Sequence, residues 1–235
     1  MLLNEDLTKR TVVHAGRLDW VPSPMKGVDR RMLFRIGDEK ARATSIVRYA
    51  SASSFSHHQH PGGEEFLVLE GVFQDESGDF PAGTYVRNPP GTGHAPKSAE
   101  GCTIFVKLWQ FKEADRNRIV RYPSEGEPTF ARDGVASARL LFDGSNETVV
   151  MEDWRPNSDV EVDNSKGLEL LVLEGDFVES GEAFLRWSWL RLPPEQEFRA
   201  KTGPAGARVW YKSGPLLHAD VCAFEAPQSR GSKGR

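Results

Sequence analysis

Apolar positions along the chain come in short runs separated by turn-forming residues. Ala43 to Tyr49, Glu65 to Glu70, Thr84 to Arg87 and Thr103 to Trp109 are β-branched, aromatic or aliphatic stretches bounded by Gly, Pro, Asp and Ser. Thr148 to Met151, Glu169 to Glu174, Trp187 to Leu192 and Arg208 to Tyr211 continue the pattern. No segment sustains a 3.6-residue apolar period, so helix should be minor. Closely spaced short strands predict an all-β fold of the sandwich, jelly-roll or barrel kind.

The pattern is duplicated. Glu65-Phe66-Leu67-Val68-Leu69-Glu70-Gly71 matches Glu169-Leu170-Leu171-Val172-Leu173-Glu174-Gly175 at an offset of 104 residues. The same gapless offset carries Phe73 onto Phe177, Phe80 onto Phe184, Arg87 onto Arg191 and Pro89-Pro90 onto Pro193-Pro194. Two copies of one supersecondary unit explain such a register. The polar stretch from Lys112 to Asp133, with Pro123 and Pro128, is the expected connection between the copies.

Composition narrows the classes of partner. Across 235 residues the net charge is −4 with both signs interspersed, which lacks the basic footprint of a nucleic-acid binder. The one basic run, Arg230 to Arg235, reads as a frayed terminus. No apolar run approaches the ~20 residues of a membrane helix, and the first residues lack the basic and apolar regions of a secretory signal. Cys102 and Cys222 form no CxxC pair and no disulfide framework. The expectation is a cytoplasmic protein with no membrane or nucleic-acid partner. Monomer and homodimer are both open.

The chemistry concentrates in His58-Gln59-His60-Pro61-Gly62-Gly63-Glu64 and in His94, thirty residues further on. On a strand, residues two apart share a face, so His58 and His60 can aim two imidazoles at one point. The Pro-Gly-Gly turn then lets Glu64 reach the same point. Three neutral imidazoles and a carboxylate suit a divalent transition metal. His57 alternates to the other face, His14 and His218 lack partners at ligand spacing, and Glu65, matched by Glu169, fits a structural role.

Two spacings carry a family resemblance. His58-x-His60-x3-Glu64-x6-Gly71 resembles the first motif of the cupin superfamily, and Gly83-x5-Pro89-x-Gly91-x2-His94 resembles the second. Ser98 stands where the family often has Asn. The phrase HPGGEEFLVLEGVF, with Trp20-Val21-Pro22-Ser23-Pro24 and Gly27-Val28, is similar to the cupin domains of the ChrR anti-sigma factors. The resemblance implies two tandem cupin barrels. Residues 1–115 would be a metal-binding cupin with His58, His60, Glu64 and His94 facing the ion. Residues 116–235 would be a second cupin-like domain. ChrR proteins grip a sigma factor through a helical, zinc-binding N-terminal domain. With the cupin pattern starting near residue 10 and no Cys in residues 1–20, a sigma-factor partner is not expected.

The second copy acts as an internal control. Val162, Asn164, Leu168 and Phe198 stand where His58, His60, Glu64 and His94 stand in the first. Apolar filling removes the cost of an empty polar site, so this half should be metal-free. The aromatic residues Trp187, Trp189, Trp210 and Tyr211 should pack the core or the junction between halves.

For function, iron(II), manganese or nickel would keep two positions open beside four protein ligands, as oxygenases need. Zinc would be satisfied by four. The expected cofactor is one divalent ion per chain, Fe2+ or Zn2+ foremost, with Mn2+ or Ni2+ as alternatives. The leading expectation is a dioxygenase-type oxidoreductase acting on a small carbonyl, enol or phenolic substrate. In it Glu64 tunes charge or acts as base, and Tyr49, Phe66, Lys107 and Trp109 line the pocket. The alternative is a non-enzymatic ChrR-type sensor of an oxidant, acting on a protein partner through the metal or Cys102.

Overall fold

Pairing between the β-branched and aromatic runs builds two large antiparallel sheets of like topology, and a small two-stranded one, in the computed structural model, which describes residues 1–125, 127–128 and 132–224. The principal strands are β1 (Thr11–His14), β2 (Val28–Gly37), β3 (Ala41–Tyr49), β4 (His58–His60), β5 (Glu64–Asp75), β6 (Gly78–Pro81), β7 (Tyr85–Asn88), β8 (Thr92–His94), β9 (Cys102–Leu108) and β10 (Ile119–Arg121). The second series is β11 (Val135–Asp143), β12 (Thr148–Trp154), β13 (Asp159–Val162), β14 (Leu168–Glu179), β15 (Glu182–Phe184), β16 (Ser188–Leu192) and β17 (Phe198–Ser213). Among the described residues the only helical element is a 3-10 turn at Ala15–Arg17. The fold is all-β, two cupin-type barrels in tandem. The basic tail at 230–235 lies outside the described residues.

The repeat is now geometric. The first sheet runs β2-β3-β9-β5-β7-β10 and the second β11-β12-β17-β14-β16-β1. Strands β5 and β14 have the same length and keep the offset of 104. Each bends at a glycine with φ near +70°, Gly71 and Gly175, beside a break in register with its neighbour. A Cβ on Gly71 would fall 2.1 Å from the Gly101 carbonyl oxygen, so both the conformation and the space require glycine there.

Two strands cross the expected division at residue 115. Strand β1 leaves the first half to pair with β16 in the second sheet, and β10, from the connecting segment, pairs with β7 in the first. Each sheet therefore ends in a strand that precedes the other half in sequence. The segment from Lys112 to Asp133 is thus more than a linker.

The junction is a shared core. Leu33, Phe34, Leu67, Tyr85 and Phe105 from one half pack with Phe142, Met151, Leu171, Trp189 and Trp210 from the other. Tyr211 lies in the core of the second barrel, and Trp187, partly buried, packs against the junction. Buried charges also cross this boundary as a matched pair. Lys107 on β9 ion-pairs with Glu169 on β14, and Lys212 on β17 bonds to Glu65 on β5 at 2.8 Å. Tyr85 donates to Glu65 at 2.5 Å and the Trp189 indole to Glu169 at 2.8 Å. Lys107 is therefore a junction residue and not a pocket wall, because its ammonium points away from the imidazoles to a carboxylate in the other half. Glu65 and Glu169 do have the structural role expected of them. His218, without partners at ligand spacing, is tied to this network through Glu147 at 2.8 Å.

Candidate metal centre

Strands β4 and β8 form a small two-stranded sheet in which His58 faces His94 and His60 faces Thr92. Strand alternation puts His58 and His60 on one side, and the cross-strand register brings in His94. One ring nitrogen from each of the three lies within 4.8 Å of the others. The turn Pro61-Gly62-Gly63 is held tight: Trp109 lies over Gly62 and Phe111 against Gly63, whose φ is +76°. Glu64 leaves this turn as the first residue of β5. Its Oε2 is 3.6 Å from His60 Nε2 and 3.5 Å from His94 Nε2. The structure thus gathers His58, His60 and His94, and sets Glu64 against His60 and His94.

The His60 and His94 Nε2 atoms face each other at 3.1 Å. For ligand bonds of about 2.1 Å, neighbouring donor atoms sit about 3.0 Å apart in an octahedron and about 3.4 Å apart in a tetrahedron. The His60–His94 spacing falls in that range, Glu64 lies slightly beyond it at 3.5 and 3.6 Å, and the donor set of imidazoles and carboxylate is of the kind that holds such ions. The residues fit a divalent metal.

Charge and burial favour neutral, lone-pair-bearing imidazole at His60. Burial holds its pKa below the ordinary histidine range, and the neighbouring imidazoles add to this against the pull of Glu64. At His94 burial opposes the charge, but the hydrogen bond it donates to Asp75 and the field of Glu64 raise its pKa overall. Asn88 donates to Glu64 Oε2 at 3.2 Å and keeps that carboxylate in place. Asp75 and Asn88 escaped the sequence reading. The available signal for Asp75 was Glu179, an acid at the same register of the second copy.

The remaining expectations divide. Phe66 is buried in the barrel core with Phe73 and Phe80. Tyr49 packs edge-on against Phe55 and Phe73, and burial with the nearby Glu64 pushes its phenol above the usual range. Trp109 covers the ligand turn from outside. His57 is exposed. Ser98, in the place of the usual Asn, donates to the Val72 carbonyl at 2.7 Å. Cys102 is buried, and desolvation pushes its thiol up to about 11. A cavity of about 300 Å³ reaches His60 and His94 between Asp75, Asn88, Thr92 and Arg118. A larger cleft of about 760 Å³ lies between the halves, beside Leu69, Leu173 and Trp187, and does not touch the imidazoles.

In the second barrel, Val162, Leu168 and Phe198 are buried in the core. Asn164 donates to the carbonyls of Pro193 and Gln196 at 2.7 and 2.9 Å. Four ligand positions have become three core residues and a loop brace.

Residues 8–112 match the family model described as a ChrR cupin-like domain. No curated protein matches the sequence. Solved structures of cupin fold align over nearly the whole chain. A candidate glyoxylate-induced protein from Pseudomonas aeruginosa is 16% identical, with TM-score 0.69 and coverage of 95% of this chain and 94% of that one. A candidate dioxygenase from Nostoc punctiforme is 12% identical, with TM-score 0.67 and coverage of 93% and 87%. The bacterial pirin YhhW from Escherichia coli, in complex with nickel(II), is 14% identical, with TM-score 0.62 and coverage of 88% and 100%. At these identities the likeness is one of fold.

Proposed function

We propose that His58, His60, Glu64 and His94 hold one divalent metal ion, in a two-barrel chain whose residues 8–112 match the ChrR cupin-like domain model. We propose further that the centre is a dioxygenase-type catalyst for a small carbonyl, enol or phenolic substrate. The observation that carries this reading is the convergence of three imidazoles from two separate motifs, with Glu64 against two of them, beside a cavity of small-molecule size. A bound divalent ion would act as Lewis acid and hold substrate and dioxygen side by side.

The protein's own groups set the rest. Burial keeps His60 neutral and available as a donor. Asn88 donates to Glu64 and keeps its carboxylate beside His60 and His94, where it would serve as a ligand or as a base for an enol or phenol proton. Phe66 and Phe73 exclude water from the barrel side. The candidate dioxygenase and the nickel-bound pirin among the fold relatives support both parts of the reading.

The ChrR match supports a second reading, in which the same centre senses an oxidant and signals to a protein partner. The raised pKa of Cys102 argues that such a sensor would work through the metal and not the thiol. Oxygen uptake with a panel of enol and phenolic substrates separates the two. Uptake that is lost in His58→Ala together with the metal is expected for the catalyst. A metal-loaded protein that consumes no oxygen with any of them would refute that reading and leave the sensor.

A further inference from the structure

We infer that Asp75 is a positioning residue for the centre: it fixes His94 in the tautomer with hydrogen on Nδ1, leaving the Nε2 lone pair facing His60 and Glu64. This rests on the reading that these side chains hold a metal.

Asp75 closes the β5–β6 hairpin, paired with Gly78 across Glu76-Ser77. One carboxylate oxygen accepts from the Ser77 backbone N–H at 2.7 Å and from the Ser77 hydroxyl at 2.6 Å. The other faces His94 Nδ1 at 3.1 Å. An ionised carboxylate only accepts, so Nδ1 carries the hydrogen, and in the neutral imidazole that would bind a metal Nε2 then has the lone pair. That Nε2 is the atom 3.1 Å from His60 and 3.5 Å from Glu64. The same hairpin tip holds the chain beside the ring, since Glu76 accepts from the Ala95 N–H at 2.9 Å.

The second barrel supplies the control. Glu179 occupies the register of Asp75 and is equally buried, but Phe198 has replaced the histidine. Glu179 is met instead by Arg10, at 2.6 Å, from the segment leading into β1. Where there is no ligand to orient, an arginine neutralises the acid.

Asp75→Asn isolates the effect. The two Ser77 donors require an acceptor, so the amide oxygen takes their side and the NH2 turns to His94. Nδ1 must then accept, and the hydrogen moves to Nε2, the atom that would bind metal. The side chain keeps its shape and the hairpin keeps its bonds, so the fold should persist.

The test uses the full-length protein with zinc as the probe. Long-range 15N–1H spectra of the metal-stripped protein read the His94 tautomer, and competition with a chelator reads zinc affinity. Wild type should show Nδ1–H and Asp75→Asn should show Nε2–H. The variant should lose about 10–100-fold in zinc affinity with its apo melting temperature unchanged. Asp79→Asn, on the same hairpin but bonded outward to Gln74, should match wild type in both. An Nε2–H tautomer in wild type, or an unchanged tautomer and affinity in Asp75→Asn, would overturn the role of Asp75 alone. A wild type that takes up no zinc would overturn the metal reading beneath it.

Discussion

Removing the Lys107 ammonium tests whether charge exchange holds the two halves together. Methionine at 107 keeps the length of the stem and its burial but leaves Glu169 buried, with only the Trp189 indole bonded to it. Breaking a buried ion pair from one side costs about 3–5 kcal/mol, because the remaining charge is uncompensated. For a chain of this size each kcal/mol moves the melting temperature by about 2–4 °C, so Lys107→Met should lower it by roughly 6–20 °C. Glu169→Gln in the same background removes the stranded charge and should restore more than half of the loss. The assay is thermal and guanidinium unfolding followed by tryptophan fluorescence, to which Trp189 and Trp210 at the junction report directly. A double-mutant cycle gives the coupling. A single-variant loss below about 1 kcal/mol, or strict additivity in the double variant, would refute the argument, since the pair would then behave like a solvated one.

Acid should act on the same junction. Glu65 and Glu147 are opposed by burial, but Lys212 and Arg87, with His218 on Glu147, hold both below the usual carboxylate range. A depressed folded-state pKa gives stability that is complete above the unfolded value, about 4.3, and is lost as pH falls below it. Stability should therefore be flat above about pH 5 and fall towards pH 2, with a shallower fall in Glu147→Gln; an equal acid slope in that variant would contradict the assignment. Cys102, with its thiol at about 11, should resist a thiol reagent at pH 8 until the protein unfolds. Fast native labelling would reopen a thiol sensor. Gly71→Ala should cost at least about 1–3 kcal/mol from the left-handed backbone alone, before the contact with Gly101 is counted; equilibrium denaturation measures it, and a neutral result would mean that the β5 bend can relax.

The strand series and the repeat were legible because both rest on local patterns. The offset set by Glu65 to Gly71 is kept by β5 and β14 as strands. The meeting of His58 with His60 follows from strand alternation alone. Strand β2 was hidden because arginines interrupt its apolar run at Arg30, Arg31 and Arg35. The exchange of β1 and β10 could not be read, since an edge strand's partner is decided by packing between halves and leaves no local mark. Lys107 shows the same limit: a lysine on a strand beside the ligand turn looks like a pocket residue until its partner, 62 positions away, is known. Asp75 left only the faint mark of Glu179 in the second copy for a related reason, because its use depends on a hairpin folding back over His94.

The central claim is a single metal centre confined to the first barrel. The direct measurement is metal content per chain by elemental analysis, after purification without added metal or chelator and again after reconstitution. One equivalent in wild type and in Asn164→Ala, with loss in His94→Ala, is the predicted result. No metal after reconstitution, or two equivalents per chain, would contradict it.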